Sequence, residues 1–162
     1  MNSLINNKKL FEVLDKYGYR IRFVPHPNLL DQIEDFEIND KYIDLISEKV
    51  DYQKEFCENK VMVTDRSSVF FDFAYLKKPL IYYQPDNEEF FKAQIYDKGY
   101  FEFDKMGFGP LIEEEDKLVD EIAEIIKKDC KIEKKYEKRI DDFFKYNDTK
   151  NCERVIEAIK NS

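Results

Sequence analysis

Two adjacent serines, Ser67 and Ser68, lie between a short apolar segment and a predicted helix, a position that suits phosphate binding. The stretch 61–83 predicts a buried strand, a tight polar turn, a helix and a second buried strand. The start of a helix presents N–H groups without intrahelical acceptors and a partial positive charge. Serine hydroxyls beside those groups predict a site for a phosphate or pyrophosphate. Open α/β sheets usually hold their ligands at such a strand–turn–helix junction.

Two further polar residues stand near the ends of predicted strands. Asp65 comes directly before the serine turn, and we expect it to brace the turn or meet a hydroxyl, because a carboxylate repels phosphate. His26 lies between Pro25 and Pro27, and each proline restrains the residue before it, so this part of the chain should be extended and stiff. Ordinary roles remain open as well: His26 as a surface histidine, and Ser67 as a helix N-cap.

The elements that must position these residues alternate between strands and helices. The predicted strands are 20–24, 42–46, 61–64 and 79–83. The predicted helices are 7–17 (ended by Gly18), 51–59, 67–76 and 87–97, followed by apolar helical stripes within 118–126, 140–144 and 155–159. Segment 127–138 is expected to be a solvated helix surface, 100–103 extended, and 107–110 a loop.

Alternation of this kind predicts an α/β protein with a Rossmann-like parallel sheet and helices on both faces. We expect a single domain over residues 1–162, because this length suffices for one core. A strand usually precedes the first helix of such a unit, so we expect the first strand to be missing.

Composition excludes several classes of function. Only four glycines are present, which excludes a Gly-rich phosphate loop, and the net charge of −8 disfavours nucleic acid as a partner. No apolar run approaches the ~20 residues that span a bilayer. The N-terminus lacks the apolar core of a secretion signal. We therefore expect a cytoplasmic protein, which still allows a whole enzyme to dock on a membrane through another part.

The three cysteines, Cys57, Cys130 and Cys152, are far apart in sequence and odd in number. This spacing predicts reduced, structural thiols in a reducing compartment. With one histidine and no Cys-x-x-Cys pair, a zinc site is not expected, and we expect no other cofactor.

Four ordered segments resemble motifs of the CDP-glycerol glycerophosphotransferase family, the polymerases and primases of teichoic-acid-type wall polymers. The segments are PHPNL at 25–29, VTDRSSVFFDFAYLKKPLIYY at 63–83, KGYFEFDKMGFGP at 98–110 and YNDTKNCERV at 146–155. The departures from the family pattern are Arg66 for Tyr, Lys98 for Arg, Phe108 for Pro and Thr149 for Gly. One short motif would be weak evidence, but four in the family's order cover most of the chain.

The resemblance implies the C-terminal, donor-nucleotide half of a GT-B transferase, whose N-terminal acceptor half and catalytic base have no counterpart here. The family reaction moves glycerol phosphate from CDP-glycerol (or ribitol phosphate from CDP-ribitol) to a wall polymer and releases CMP. This half alone should bind the donor but turn over little or nothing. The full-length enzyme would work peripherally at the inner face of the plasma membrane.

The same resemblance assigns roles to individual residues. His26 is expected at the catalytic centre as a phosphate contact. The residues expected to bind the substrate are Ser67, Ser68, Asp65, Asp148 and Arg154. Two alternatives stay open: a GT-B transferase that uses another CMP- or UDP-linked donor, and a non-catalytic interaction module that has kept the fold.

Overall fold

The computed structural model describes residues 2–47, 49–85 and 100–161. Its elements, in chain order, are α1 (Asn2–Ile5), α2 (Lys8–Tyr17), β1 (Ile21–Phe23), a 3₁₀ segment (Pro27–Asp35), β2 (Ile43–Leu45), α3 (Tyr52–Glu58), β3 (Met62–Thr64), α4 (Phe70–Tyr75), β4 (Leu80–Tyr83), α5 (Phe103–Met106), β5 (Leu111–Ile112), α6 (Glu115–Lys127), α7 (Lys134–Phe143) and α8 (Asn151–Lys160). The helix predicted at 87–97 lies outside the described residues.

All strand pairings in the described chain are parallel. β1 pairs with β2, while β4 lies between β3 and β5 in a second sheet. The predicted parallel α/β architecture is therefore confirmed, with the pairings divided between two sheets. Parallel sheets have their connecting helices on the faces, so their strands are buried on both sides.

β4 shows how helices cover both faces of its sheet, because all four of its residues are buried. Ile81 and Tyr83 pack with residues of α1, α2 and α6. Leu80 and Tyr82 point the other way, since side chains alternate along a strand, and pack with residues of α4 and α7. The prediction of helices on both faces is confirmed.

Capping residues set several of the helix ends as predicted. The Asn7 side chain accepts a hydrogen bond from the N–H of Leu10 at the start of α2. Gly18 ends that helix at φ 71°, the left-handed conformation that glycine adopts without strain. Asp51 accepts from the N–H of Lys54 and so caps α3.

Other predictions were wrong or incomplete. Segment 127–138 is not one helix surface, because α6 ends at Lys127 and the chain turns through positive φ at Asp129 and Cys130. Phe103, predicted as extended, begins α5. The regular part of α4 begins at Phe70, three residues later than predicted. Very short elements such as α5 and β5 carry too few residues for a periodic pattern.

The loop predicted at 107–110 packs directly on β4. A Cβ on Gly109 would lie 1.8 Å from the carbonyl oxygen of Leu80, so the backbone approaches β4 too closely for any other residue. Phe108, between the two glycines, is 1% exposed and lies within an aromatic cluster. The loop is thus a fixed part of the fold that packs against β4.

Candidate functional site

The turn after β3 is held by its own aspartate. The Asp65 carboxylate accepts a hydrogen bond from the N–H of Ser67 at 3.0 Å. This is the local side-chain-to-backbone contact that aspartate favours in turns. The Asp65 side chain thus braces the turn, which is the structural role weighed from the sequence.

The serines occupy the first turn before the regular helix. The carbonyl of Ser67 accepts from Phe70 N–H at 3.3 Å, and that of Ser68 from Phe71 N–H at 3.1 Å. α4 has no side-chain cap, so the structure does not show Ser67 acting as a hydroxyl N-cap. The N–H of Ser67 is used by Asp65, so the turn offers a phosphate its hydroxyls and the amides that follow.

Gln84 lies directly behind this turn, and sequence reasoning missed it. Its side chain is 1% exposed and donates from Nε2 to the carbonyl oxygen of Asp65 at 3.2 Å. The available signal was a polar residue placed immediately after four consecutive buried strand residues.

His26 follows the carboxyl end of β1 and is exposed. Its backbone is extended (φ −60°, ψ 141°), as the flanking prolines predict, and the 3₁₀ segment starts at the next residue. Its Nδ1 accepts a hydrogen bond from the N–H of Asn28 at 3.2 Å. In the neutral imidazole the proton therefore sits on Nε2, which can donate to an anion.

The structure does not join His26 to the serines directly. Among the described residues, no hydrogen bond or ring contact links His26 with Ser67 or Ser68. What they share is their position, because each follows the carboxyl end of a parallel strand, where α/β proteins bind ligands.

Asp148 and Arg154 bind each other. The guanidinium donates to both carboxylate oxygens, at 2.8 and 3.1 Å, and lies 3.9 Å above the ring of Tyr146. The Lys150 N–H also donates to Asp148 at 2.8 Å. The hydrogen bond from Arg154 contributes most to lowering the pKa of Asp148, and the one from the Lys150 N–H adds to it. The Asp148 carboxylate in turn raises the pKa of Arg154. The pair fixes the chain at the start of α8.

Two grooves of the described surface are lined by residues outside the serine turn. An open groove of about 420 Å³ lies between α4 and the segment joining α7 to α8. Its lining is mainly aromatic and comprises Phe71, Asp72, Tyr75, Phe143, Phe144, Lys145, Tyr146 and Asn151. A second groove of about 330 Å³ runs along α3. Neither is lined by His26, Ser67 or Ser68, so we place the candidate site by its donors and not by a cavity.

Several residues near the turn have structural roles. Phe70 and Phe73 are buried in the aromatic cluster, so they pack α4 against the core. Lys77 pairs with Asp141 of α7 at 2.7 Å. Lys78 donates to three backbone carbonyls at the end of α3, those of Phe56, Cys57 and Asn59, at 2.7 to 2.8 Å.

The cysteines are not paired with one another. Cys130 is half-buried with its sulfur 3.5 Å from the Tyr19 hydroxyl, whereas Cys57 and Cys152 are exposed, so a structural role fits Cys130 only. Within residues 2–47, 49–85 and 100–161, no cluster of three or more acidic, His and Cys side chains could hold a metal ion. In the same ranges, no helix has the length and apolarity to cross a bilayer.

Solved structures with this fold include the wall teichoic acid polymerase TagF. The match has a TM-score of 0.59 at 18% identity and covers 98% of this chain and 49% of the TagF chain. A TagF variant with histidine replaced by asparagine, soaked with CDPG, matches with a TM-score of 0.57 at 19% identity, covering 99% of this chain and 46% of the other. This likeness confirms the predicted fold, that of one Rossmann-like half of a GT-B-type protein.

Sequence relatives point the same way. The chain is 44% identical over 158 residues to the minor teichoic acid biosynthesis protein GgaB of Bacillus subtilis (strain 168), a match that covers 98% of this chain and 17% of GgaB. It is 30% identical over 110 residues to the teichoic acid poly(glycerol phosphate) polymerase of the same strain, covering 67% of this chain and 14% of the polymerase. The chain thus spans less than a fifth of these relatives.

A family profile matches nearly the whole chain. Residues 1–161 match the family described as CDP-Glycerol:Poly(glycerophosphate) glycerophosphotransferase. Together with the identity to GgaB, this match shows that the chain belongs to the CDP-glycerol glycerophosphotransferase family.

Proposed function

We propose that this chain is the donor-nucleotide-binding part of a glycerophosphotransferase. It holds CDP-glycerol, or a similar activated polyol, while glycerol phosphate passes to a hydroxyl of a wall polymer and CMP leaves. Family membership supports the reaction class. The observation that carries the site is the serine turn after β3, braced by the Asp65 carboxylate on Ser67 N–H at 3.0 Å.

In this proposal the turn binds the pyrophosphate of the donor. The hydroxyls of Ser67 and Ser68 and the amides after Ser67 donate to phosphate oxygens, and His26 donates from Nε2 to another. Preorganised donors stabilise the charge that builds on the leaving phosphate. Their fixed positions mean that little reorganisation is needed as the bond to CMP breaks.

The chemical step needs a second partner. The acceptor hydroxyl attacks the phosphorus that carries the glycerol, and the bond between that phosphorus and the bridging oxygen breaks. CMP departs with the electron pair, and the hydroxyl proton passes to a base that we place on an acceptor half. The 49% coverage of the TagF chain supports such a second half. Contact with the membrane surface at its cytoplasmic side would belong to the complete enzyme.

Asp148 and Arg154 have a different place in the proposal. Because their charges are already paired, we assign to them the role of holding the start of α8. They act on the donor site indirectly, through the position of α8. Direct contact of either residue with the donor stays a prediction.

Calorimetry on the 162-residue protein tests this function. We expect CDP, CDP-glycerol and CDP-ribitol to bind more tightly than CMP-sialic acid or UDP-sugars. Ser68→Ala and His26→Ala should each weaken CDP about tenfold, the size of one hydrogen bond to a charged group. Ser3→Ala, which removes an exposed hydroxyl from α1, is the matched control.

Two results would contradict the proposal. A folded protein that binds none of these nucleotides at millimolar concentration would instead support the non-catalytic module. CDP binding that is unaffected by both Ser68→Ala and His26→Ala would place the donor elsewhere on the molecule.

A further inference from the structure

Gln84 is a buried polar side chain that the proposed mechanism does not use. It directly follows β4, the central strand of its sheet, and is 1% exposed. Burying a carboxamide costs free energy unless its polar atoms find hydrogen-bond partners. The partner of its Nε2 therefore shows what this side chain does.

That partner belongs to the serine turn. Nε2 of Gln84 donates to the carbonyl oxygen of Asp65 at 3.2 Å. The ladder between β3 and β4 ends one step earlier, with Thr64 opposite Tyr82. The side chain thus extends the connection between the two strands beyond the ladder, to the first residue of the turn.

The Gln84 backbone is fixed from the opposite side. Its N–H donates to the carbonyl of Ile112 in β5 at 2.9 Å. The residue is therefore attached to the sheet through its main chain and to the turn through its side chain. Through these two bonds, Gln84 fixes the position of Asp65 relative to the sheet.

Asp65 is consequently held at two points. Its carbonyl accepts from Gln84, and its carboxylate accepts from the N–H of Ser67. These two hydrogen bonds form a continuous path from the sheet to the serines. Without the first bond the aspartate would still brace the turn, but the turn as a whole could shift on the sheet.

We propose that Gln84 is a positioning residue, which fixes the serine turn in the geometry that binds the donor's pyrophosphate. This inference rests on the proposed function, since it takes the turn as the phosphate site. Holding the donors in place before binding avoids the entropy cost of ordering them when the ligand arrives. Gln84 acts through Asp65 and makes no contact with the ligand.

Gln84→Met tests the inference, because methionine has a similar length and no N–H to donate. We expect CDP affinity, measured by calorimetry, to fall about tenfold, and the amide protons of Ser67 and Ser68 to exchange faster by NMR. If Gln84→Met does not fold, Gln84→Asn keeps the amide but is too short to reach Asp65, and it should have the same effects.

Tyr82→Phe is the matched control from the same strand. It also removes a buried hydrogen bond, the one that the Tyr82 hydroxyl accepts from Phe108 N–H at 3.3 Å, but that bond does not reach the serine turn. CDP affinity and the exchange rates of Ser67 and Ser68 should stay at their wild-type values. A purely structural role for Gln84 would make the two variants alike.

The two proposals fail in different ways. Unchanged exchange at Ser67 and Ser68 in the Gln84 variants, or faster exchange spread evenly over β3 and β4, would overturn the positioning role whatever happens to CDP. Wild-type protein that binds no CDP would overturn the pyrophosphate site, and the amide exchange would then decide only whether Gln84 positions the turn.

Discussion

At the scale of single residues, the Asp65 carboxylate has two opposing effects on the proposed site. It organises the turn by accepting the N–H of Ser67 at 3.0 Å, and it places a negative charge next to the proposed pyrophosphate. These two effects can be separated, because an asparagine at position 65 keeps an oxygen that accepts the hydrogen bond but carries no charge. The brace on Ser67 and the repulsion by the charge are therefore distinguishable by substitution.

We expect Asp65→Asn to bind CDP as tightly as wild type or roughly twofold to fivefold more tightly, since it removes one screened surface charge. Asp65→Ala should weaken CDP, because the brace on Ser67 is lost along with the charge. Calorimetry at low and physiological salt measures both. Asparagine and alanine variants that weaken binding equally would show that the charge itself contacts the ligand favourably, contrary to the proposed geometry.

Residues also show how far the candidate site could be predicted. Ser67, Ser68 and Asp65 were recognisable because a polar turn between two apolar segments is a local pattern. The pairing of Asp148 with Arg154 was not, because the sequence shows which residues are charged but not which charges meet. Gln84 was missed for a related reason: its role depends on a hydrogen bond between strands, 19 residues apart along the chain.

At the scale of elements, a partly buried ion pair joins β1 to α3. Arg22 donates to both carboxylate oxygens of Glu55, at 2.6 and 3.1 Å, and Asn59 donates to the same carboxylate at 3.0 Å. Glu55 is 8% exposed. The hydrogen bond from Arg22 has the largest effect on the pKa of Glu55 and lowers it. Burial raises this pKa, but the hydrogen bonds from Arg22 and Asn59 together outweigh burial. The pKa of Glu55 is therefore below its ordinary value of 4.5.

This shift fixes the sign of a pH effect. A carboxyl whose pKa is lower in the folded state stabilises the protein above its unfolded pKa, and the contribution is lost as pH falls through the folded pKa. We expect Glu55→Gln to lower the free energy of unfolding by roughly 1–2 kcal/mol near neutral pH, less than for a fully buried pair because Arg22 is partly exposed. The difference from wild type should shrink as pH falls below 4.5, the ordinary pKa of this carboxyl.

Urea unfolding across this pH range measures the effect. Glu124→Gln is the control, since its exposed partner Lys127 makes a surface pair that contributes less than ~1 kcal/mol. A Glu55→Gln variant that follows wild type at every pH would show that this ion pair adds nothing to the connection between β1 and α3.

Element prediction succeeded where local chemistry marks the boundary. Asn7, Gly18 and Asp51 fix helix ends through caps whose residue types are diagnostic. The break after α6 could not be predicted, because the chain takes positive φ at Asp129 and Cys130 with no glycine or proline there. Tertiary packing on both sides of that turn overrides the local preference.

At the scale of the whole molecule, the amphipathic pattern of α8 predicted a helix but not its surroundings. Val155 and Ile156 are 59% and 51% exposed, and none of the described residues of α8 is buried. An apolar stripe predicts that one face of a helix can be buried, but it does not predict which part of the molecule covers that face. The described core itself lies around β4, where the sequence pattern was unambiguous.

If donor binding and the catalytic base belong to two different halves of the enzyme, the activity of each half can be predicted. The proposed mechanism supplies donor binding from this chain and the catalytic base from elsewhere, so the isolated protein should bind CDP-glycerol and release no CMP above background. Joining it to the acceptor half of a related polymerase should produce CMP release that Ser68→Ala reduces about a hundredfold, the lower range for one oxyanion donor. A coupled CMP assay with a polymer acceptor measures both proteins. Release by the isolated chain that Ser68→Ala abolishes would contradict the division, because the base would then have to lie among these 162 residues.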